Sequence, residues 1–122
     1  MENKIIEYNI DNCKNYCTTF KEHIPTQLIV EAIKQDYLKG LPIEKIIANF
    51  LYTLASIIYA IANKNNIKTI CCNGGVFQNT TLMDILIDLK PNEYKLYFNS
   101  NLSPNDENIS FGQIMSYLNG IN

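Results

Sequence analysis

This 122-residue sequence contains no long uninterrupted apolar run. Its longest mainly apolar stretch, residues 46–62, is broken by Asn49, Thr53 and Ser56, which argues against a transmembrane span. Glu2, Asn3 and Lys4 precede only a short apolar patch, so no signal peptide is expected. A basic stripe is also missing: ten basic and twelve acidic side chains leave a formal net charge of -2. Nucleic acid and the membrane are therefore not expected as partners. The four cysteines form no C-x-x-C pair, and no disulfide framework is implied in the reducing cytoplasm expected for the chain. Histidine is reduced to His23 alone. Cys71 and Cys72 thus have no histidine in their own motif to activate a thiol, and filling the core is the plainer role for both.

What is present describes a small folded unit. Hydrophobic residues make up 47% and charged residues 18%, a globular balance that suits one domain with one modest core. Residues 11–22 are polar and asparagine-rich and read as loop or linker. Leu28, Ile29, Ala32, Ile33 and Leu38 form a helical stripe that Gly40 terminates. Pro42 suits the first turn of the next helix, over residues 42–64, where Ile43, Ile47, Phe50, Leu54, Ile57 and Ile61 recur at three- and four-residue steps. Ile46, Leu51 and Ile58 widen that stripe, so this helix is expected to be buried on more than one side. Residues 67–72 read as a short buried strand, Asn79 or Thr80 as the cap of a helix carrying Leu82, Ile85, Leu86 and Leu89. Tyr94, Leu96 and Phe98 alternate with Lys95 and Tyr97 as a second strand, and Ile109, Ile114, Tyr117 and Leu118 fit a last helix. A strand–helix–strand unit requires a crossover, so the two strands are expected to be parallel.

Two strings carry chemistry. Gly74-Gly75-Val76-Phe77-Gln78-Asn79 lies between a predicted strand and a predicted helix. Paired glycines let backbone approach a ligand, and the following helix N-terminus offers free N–H groups to phosphate. Alone, such a pair fits a plain tight turn, the commoner case, as well as a nucleotide. The second string is Ser103-Pro104-Asn105-Asp106, followed by Ile109-Ser110-Phe111-Gly112-Gln113. Asp106 is either an N-cap or a carboxylate aimed at a divalent cation from a loop beyond a strand end.

Together, and in this order, the two strings resemble the end of the HypF-type carbamoyltransferases of hydrogenase maturation, whose pattern is G-G-V-F-Q-N and then P-N-D-G-G-I-S-L-G-Q. Gly40-Leu41-Pro42 and Ile47-Ala48-Asn49-Phe50 extend the likeness upstream, over about residues 24–119. The resemblance implies the C-terminal part of the Kae1-like domain. That is a helix-rich α/β portion of an actin/Hsp70/sugar-kinase-like (RNase H-like) fold, with a small, mainly parallel sheet of two or three strands. Residues 1–23 would be a poorly defined N-terminal segment, and residues 24–122 the C-terminal half of the nucleotide-binding domain. The family makes carbamoyl-adenylate from carbamoyl phosphate and ATP. It passes the carbamoyl group to the C-terminal cysteine of HypE, for the cyanide ligands of [NiFe] hydrogenase. By position, Gly74, Gly75 and Asn79 would approach the nucleotide, Asp106 would ligate a metal and Asn105 would orient it. The cofactors implied are ATP with Mg²⁺ and, in the complete domain, a divalent metal such as Fe or Zn. The partners implied are the remaining HypF domains and HypE.

The chain also departs from the pattern. Glu107 and Asn108 replace two glycines, Leu51 stands where histidine is frequent, and Asn73 replaces the serine or threonine before the glycines. The H-x-x-x-H metal pair of the family is missing, so no catalytic residue is expected in this chain alone. These departures support an alternative, a non-catalytic, self-associating interaction module that forms a homodimer through exposed apolar helix faces. Cys13, Cys17 and His23 are weighed as zinc ligands, with surface thiols in a loop the plainer account.

Overall fold

The computed structural model describes the backbone of residues 8–98 and 107–120, and the side chains of residues 8–98 and 113–120. In chain order come α1 (Thr26–Leu38), α2 (Ile43–Lys64), β1 (Thr69–Cys72), α3 (Thr80–Leu89), β2 (Lys95–Phe98) and α4 (Glu107–Leu118). Short 3-10 turns cover Ile10–Asn12 and Gly75–Gln78. The two strands pair in parallel, from Thr69 opposite Lys95 to Cys72 opposite Phe98, with α3 as the crossover. This is the helix-rich α/β arrangement expected, with two strands among the described residues.

Local chemistry sets the element ends. Gly40 takes φ 85 after α1, and the N–H groups of Gly40 and Leu41 donate to the carbonyls of Tyr37 and Asp36. That pair of bonds satisfies carbonyls that the helix end would otherwise leave open. Asn66, at φ 54, closes α2 the same way: its N–H donates to Asn63 and that of Ile67 donates to Ala62. Pro42 precedes α2 as its N-cap, one residue earlier than expected, and its carbonyl accepts from Lys45 and Ile46.

Helix α2 is the centre of the molecule. By length and composition alone it could cross a membrane, yet two of its faces are committed to the protein. Leu51 and Ala55 join Cys72, Leu82, Ile85 and Leu86 in the main core, while Ile57 meets Cys17 and Ile29 of α1 in a second cluster. Tyr59 donates its hydroxyl to the carbonyl of Leu86 and packs edge-on against Tyr94, ring centroids 5.8 Å apart.

Three expectations need correction. First, β1 is not buried throughout, because the sheet is covered on one face. Ile70, Cys72, Leu96 and Phe98 turn to the core, whereas Thr69, Cys71, Lys95 and Tyr97 are exposed. The period of two along a strand separates the adjacent cysteines, so Cys72 fills core and Cys71 does not. Second, α1 presents Ile29, Ala32, Ile33 and Asp36 inward, leaving Leu28 and Leu38 exposed at 66% and 67%. Third, the segment from Asn12 to Phe20 is irregular as expected but is a packed strap rather than a linker.

The strap is held by buried polar groups. The N–H of Lys14 donates to Asn49 Oδ1 and that of Tyr16 to Thr53 Oγ1, both at 2.9 Å. Two residues of extended chain advance roughly 6.6 Å, close to the roughly 6 Å between positions i and i+4 of a helix. Alternate strap amides therefore meet successive turns of α2. Tyr16 donates its hydroxyl to Asp36 Oδ2 at 2.7 Å, and Lys14 Nζ lies 3.3 Å from Asp36 Oδ1. Asp36 is only 4% exposed. The Tyr16 hydroxyl holds its carboxyl below the usual carboxylate range; burial opposes this and Lys14 adds to it.

Thr53→Val would leave the Tyr16 N–H without its acceptor, and urea denaturation is expected to show a loss of about 1–3 kcal/mol. Asp36 also makes stability pH-dependent. Because its folded pKa is lowered, its contribution is complete above the unfolded carboxylate value of about 4 and is lost as pH falls through the folded value. The stability gap between the native chain and Asp36→Asn should stay constant near neutrality and shrink only below about pH 4. A gap that widened on acidification would contradict this.

Candidate functional site

The glycine string begins where β1 ends. After Asn73, Gly74 adopts φ 104 and ψ 168, a conformation that essentially only glycine tolerates. This sharp change of direction sends the chain into the 3-10 turn Gly75–Gln78, in which the Phe77 N–H donates to the Gly74 carbonyl at 3.1 Å. The Phe77 ring packs against the main core and fixes the turn over the sheet end. The first amides of the turn, those of Gly75 and Val76, precede its first internal hydrogen bond and have no acceptor within it.

Asn79 joins the turn to α3. Its Oδ1 accepts the Leu82 N–H at 3.0 Å and its carbonyl accepts from Met83 at 3.1 Å. It is therefore the N-cap of α3, the first of the two caps considered from sequence. The Thr80 and Thr81 amides remain at the positive end of the helix, without intrahelical acceptors. A Cβ built on Gly74 or Gly75 meets no atom within 4 Å, so the backbone here faces open space. Gly75 and Asn79 are exposed and Gly74 is half-buried.

The structure thus brings Gly74, Gly75 and Asn79 into one turn at the C-terminal end of a parallel strand, where ligands of open α/β sheets lie. Asn105 and Asp106 fall outside the described residues. Glu107 and Asn108 open α4, and their side chains are likewise outside the description. Leu51 is a core residue at 6% exposure, so the position that often holds histidine in the resembling family here faces the interior. The described residues contain no cluster of three or more His, Cys, Asp or Glu side chains able to hold a metal. Cys17 packs with Ile29 and Ile57, and burial pushes the Cys13 thiol up.

A cavity of about 430 Å³ lies elsewhere, between the strap and the start of α2, where Asn12, Cys13, Lys45 and Asn49 are among its lining. No residue of the glycine string borders it. Sequence reasoning missed Asp36, Asn49 and Thr53 as organising residues. The available signal was the i, i+4 pair Asn49 and Thr53 inside an otherwise apolar helix.

A family model described as "Carbamoyltransferase, Kae1-like Domain, second subdomain" matches residues 1–113. The chain belongs to this family. The match begins at residue 1 and so takes in the packed strap as well as the helices and the glycine turn. No curated protein and no solved structure matches the chain. As a Kae1-like second subdomain, it holds the glycine turn between β1 and α3. Its ten basic residues are all lysines, so this chain supplies no guanidinium fork.

The two glycines are expected to behave differently. Gly74→Ala should destabilise the chain by about 1–3 kcal/mol because of its backbone conformation. Gly75→Ala, with no strained φ and open space for the methyl group, should change stability by less than about 0.5 kcal/mol. Asn79→Ala should cost about 1 kcal/mol through the lost cap. Denaturation midpoints of the three variants check all of these.

Proposed function

We propose that the chain is the second half of a nucleotide-binding domain that forms carbamoyl-adenylate from carbamoyl phosphate and ATP. The complete enzyme then passes the carbamoyl group to the C-terminal cysteine of HypE. The observation that carries this reading is the open backbone of Gly74 and Gly75 at the end of β1, leading directly into a capped helix N-terminus. Backbone with no Cβ in the way can approach a ribose or phosphate, and the amides of the turn and of α3 can donate to anionic oxygens.

The chain's own residues divide the work. Gly74 sets the direction of the turn, and Gly75 exposes backbone to the ligand. Asn79 accepts the Leu82 N–H with its side-chain Oδ1, which leaves the side-chain Nδ2 free to donate to a ligand. Asp106 is the proposed metal ligand, with Asn105 orienting it. ATP would bring Mg²⁺, and Fe or Zn in the complete domain would neutralise phosphate charge. Histidines for that metal would come from the other half, since His23 is exposed and far in sequence from the glycine turn.

A second reading, a non-catalytic self-associating module, is favoured by exposed apolar residues along α2 and by Glu107 and Asn108 in place of glycines.

Isothermal titration with ATP and Mg²⁺, with and without the complementary upstream half, tests the first reading. Binding is expected when both halves are present, and Gly75→Asp should weaken it at least about tenfold, equivalent to about 1.4 kcal/mol. Unchanged binding in that variant would remove the glycine turn from the site. No binding under either condition would favour the interaction module.

A further inference from the structure

The chain contains two Asn-Gly pairs, Asn73-Gly74 at the head of the glycine turn and Asn119-Gly120 after α4. In such a pair the asparagine side chain is open to attack by the next backbone nitrogen, because glycine has no Cβ to shield that nitrogen or restrict its approach. In both pairs the asparagine is exposed, the glycine has a positive φ, and a Cβ built on the glycine meets no atom within 4 Å. The pairs differ at the glycine nitrogen. The Gly120 N–H donates to the Tyr117 carbonyl at 3.1 Å and the Asn119 N–H to the Met115 carbonyl at 3.0 Å, so this pair is wound into the helix end. The Gly74 N–H reaches no acceptor among the described residues: β1 stops at Cys72, and the first internal bond of the turn is made by the Phe77 N–H.

We infer that Asn73 is a site of spontaneous deamidation in the folded chain, and that the hydrogen-bonded pair at Asn119 is protected. The backbone nitrogen of Gly74 attacks Cγ of Asn73 and a new C–N bond forms. The side-chain amide nitrogen leaves as ammonia, carrying off the proton that the Gly74 nitrogen gives up. The product is a cyclic succinimide. Water then adds to one imide carbonyl and breaks its C–N bond, which leaves aspartate or isoaspartate at position 73. Nothing is oxidised or reduced, and water is the co-reactant.

Either product adds a carboxylate to a chain whose formal net charge is already -2, and places it where β1 enters the turn. The isoaspartate form also lengthens the main chain by a carbon immediately before Gly74, the residue whose φ of 104 sets the direction of the turn. The charge and shape of the glycine turn therefore change with the age of the molecule. The inference rests on the backbone of the turn and on amide chemistry, and is independent of nucleotide binding.

Peptide mapping of the full chain, aged in mildly alkaline buffer at physiological temperature, tests it. Cleavage after lysine puts the two pairs on separate peptides, because Lys95 lies between them. The peptide that holds Asn73 is expected to gain about 1 Da, with fragment ions placing the gain on residue 73. In the folded chain Asn73 should react at least about fivefold faster than Asn119, the rate equivalent of one hydrogen bond of about 1 kcal/mol. In guanidinium chloride the two rates should converge, since neither glycine nitrogen is then held. Asn73→Ser should abolish both the mass gain in that peptide and the more acidic species that ageing produces on anion exchange, and circular dichroism checks that the variant is folded. Reaction at Asn119 as fast as at Asn73 in the folded chain would overturn the proposal, as would an Asn73 that stays intact when folded and reacts only in denaturant. A preference for Asn73 that persists undiminished in denaturant would also overturn it, by moving the cause from the fold to the flanking sequence.

Discussion

The packing of the molecule rests on two hydrogen bonds made in the middle of an otherwise apolar helix. Asn49 and Thr53 lie one turn apart on α2, and each accepts a backbone N–H from the strap, of Lys14 and Tyr16 respectively. The strap lies over both side chains, and its two donated N–H groups offset the cost of about 1–3 kcal/mol that each oxygen would carry if buried unpaired. Without the helix, a polar, asparagine-rich segment would have no reason to order. Asp36 ties the same segment to α1 through Tyr16 and Lys14, so a single polar network fixes three pieces of chain. The apolar cluster of Cys17, Ile29 and Ile57 forms alongside it.

That arrangement bears on the glycine turn, although the strap does not touch the glycines. α2 contributes Leu51 and Ala55 to the main core, and the same core receives Cys72 from β1, Leu82 from α3 and Phe77 from the turn. The turn is held from both ends and from beneath. Gly74 supplies the positive φ that the turn needs, and β1 and α3, each anchored in that core, dictate where the chain must leave and re-enter. The backbone edge of the turn faces open space while Phe77 beneath it packs on the core.

How much of this was legible in the sequence depends on whether the signal was local. Gly40 as a helix terminator, Asn79 as a cap and the parallel strand–helix–strand unit all follow from chemistry within a few residues, and each stands in the structure. The strap did not announce itself, because its order comes from side chains about 35 positions away, Asn49 and Thr53. Asp36 was invisible for a related reason: a carboxylate among apolar neighbours reads as the solvent side of α1 until Tyr16 and Lys14 are placed against it. The adjacent cysteines read as one buried unit, whereas a half-covered sheet divides them. The glycine string was legible as a turn from local chemistry, and the nucleotide-facing role proposed for it came through family likeness.

The exposed apolar surfaces make the same point from the outside. A parallel sheet ordinarily has both faces covered, yet Tyr97 and Cys71 stand on an open face here. α2 shows an uncharged stripe, and Leu28 and Leu38 of α1 face solvent. One partner of ordinary size cannot lie on all of these at once. The sheet face belongs to the same strand–helix–strand unit as the glycine turn. The exposed α2 residues Ile43, Ile47, Phe50 and Ile61 stand on a different element, and Leu54 and Ile58 beside them pack on the main core, so the surface they make is narrow.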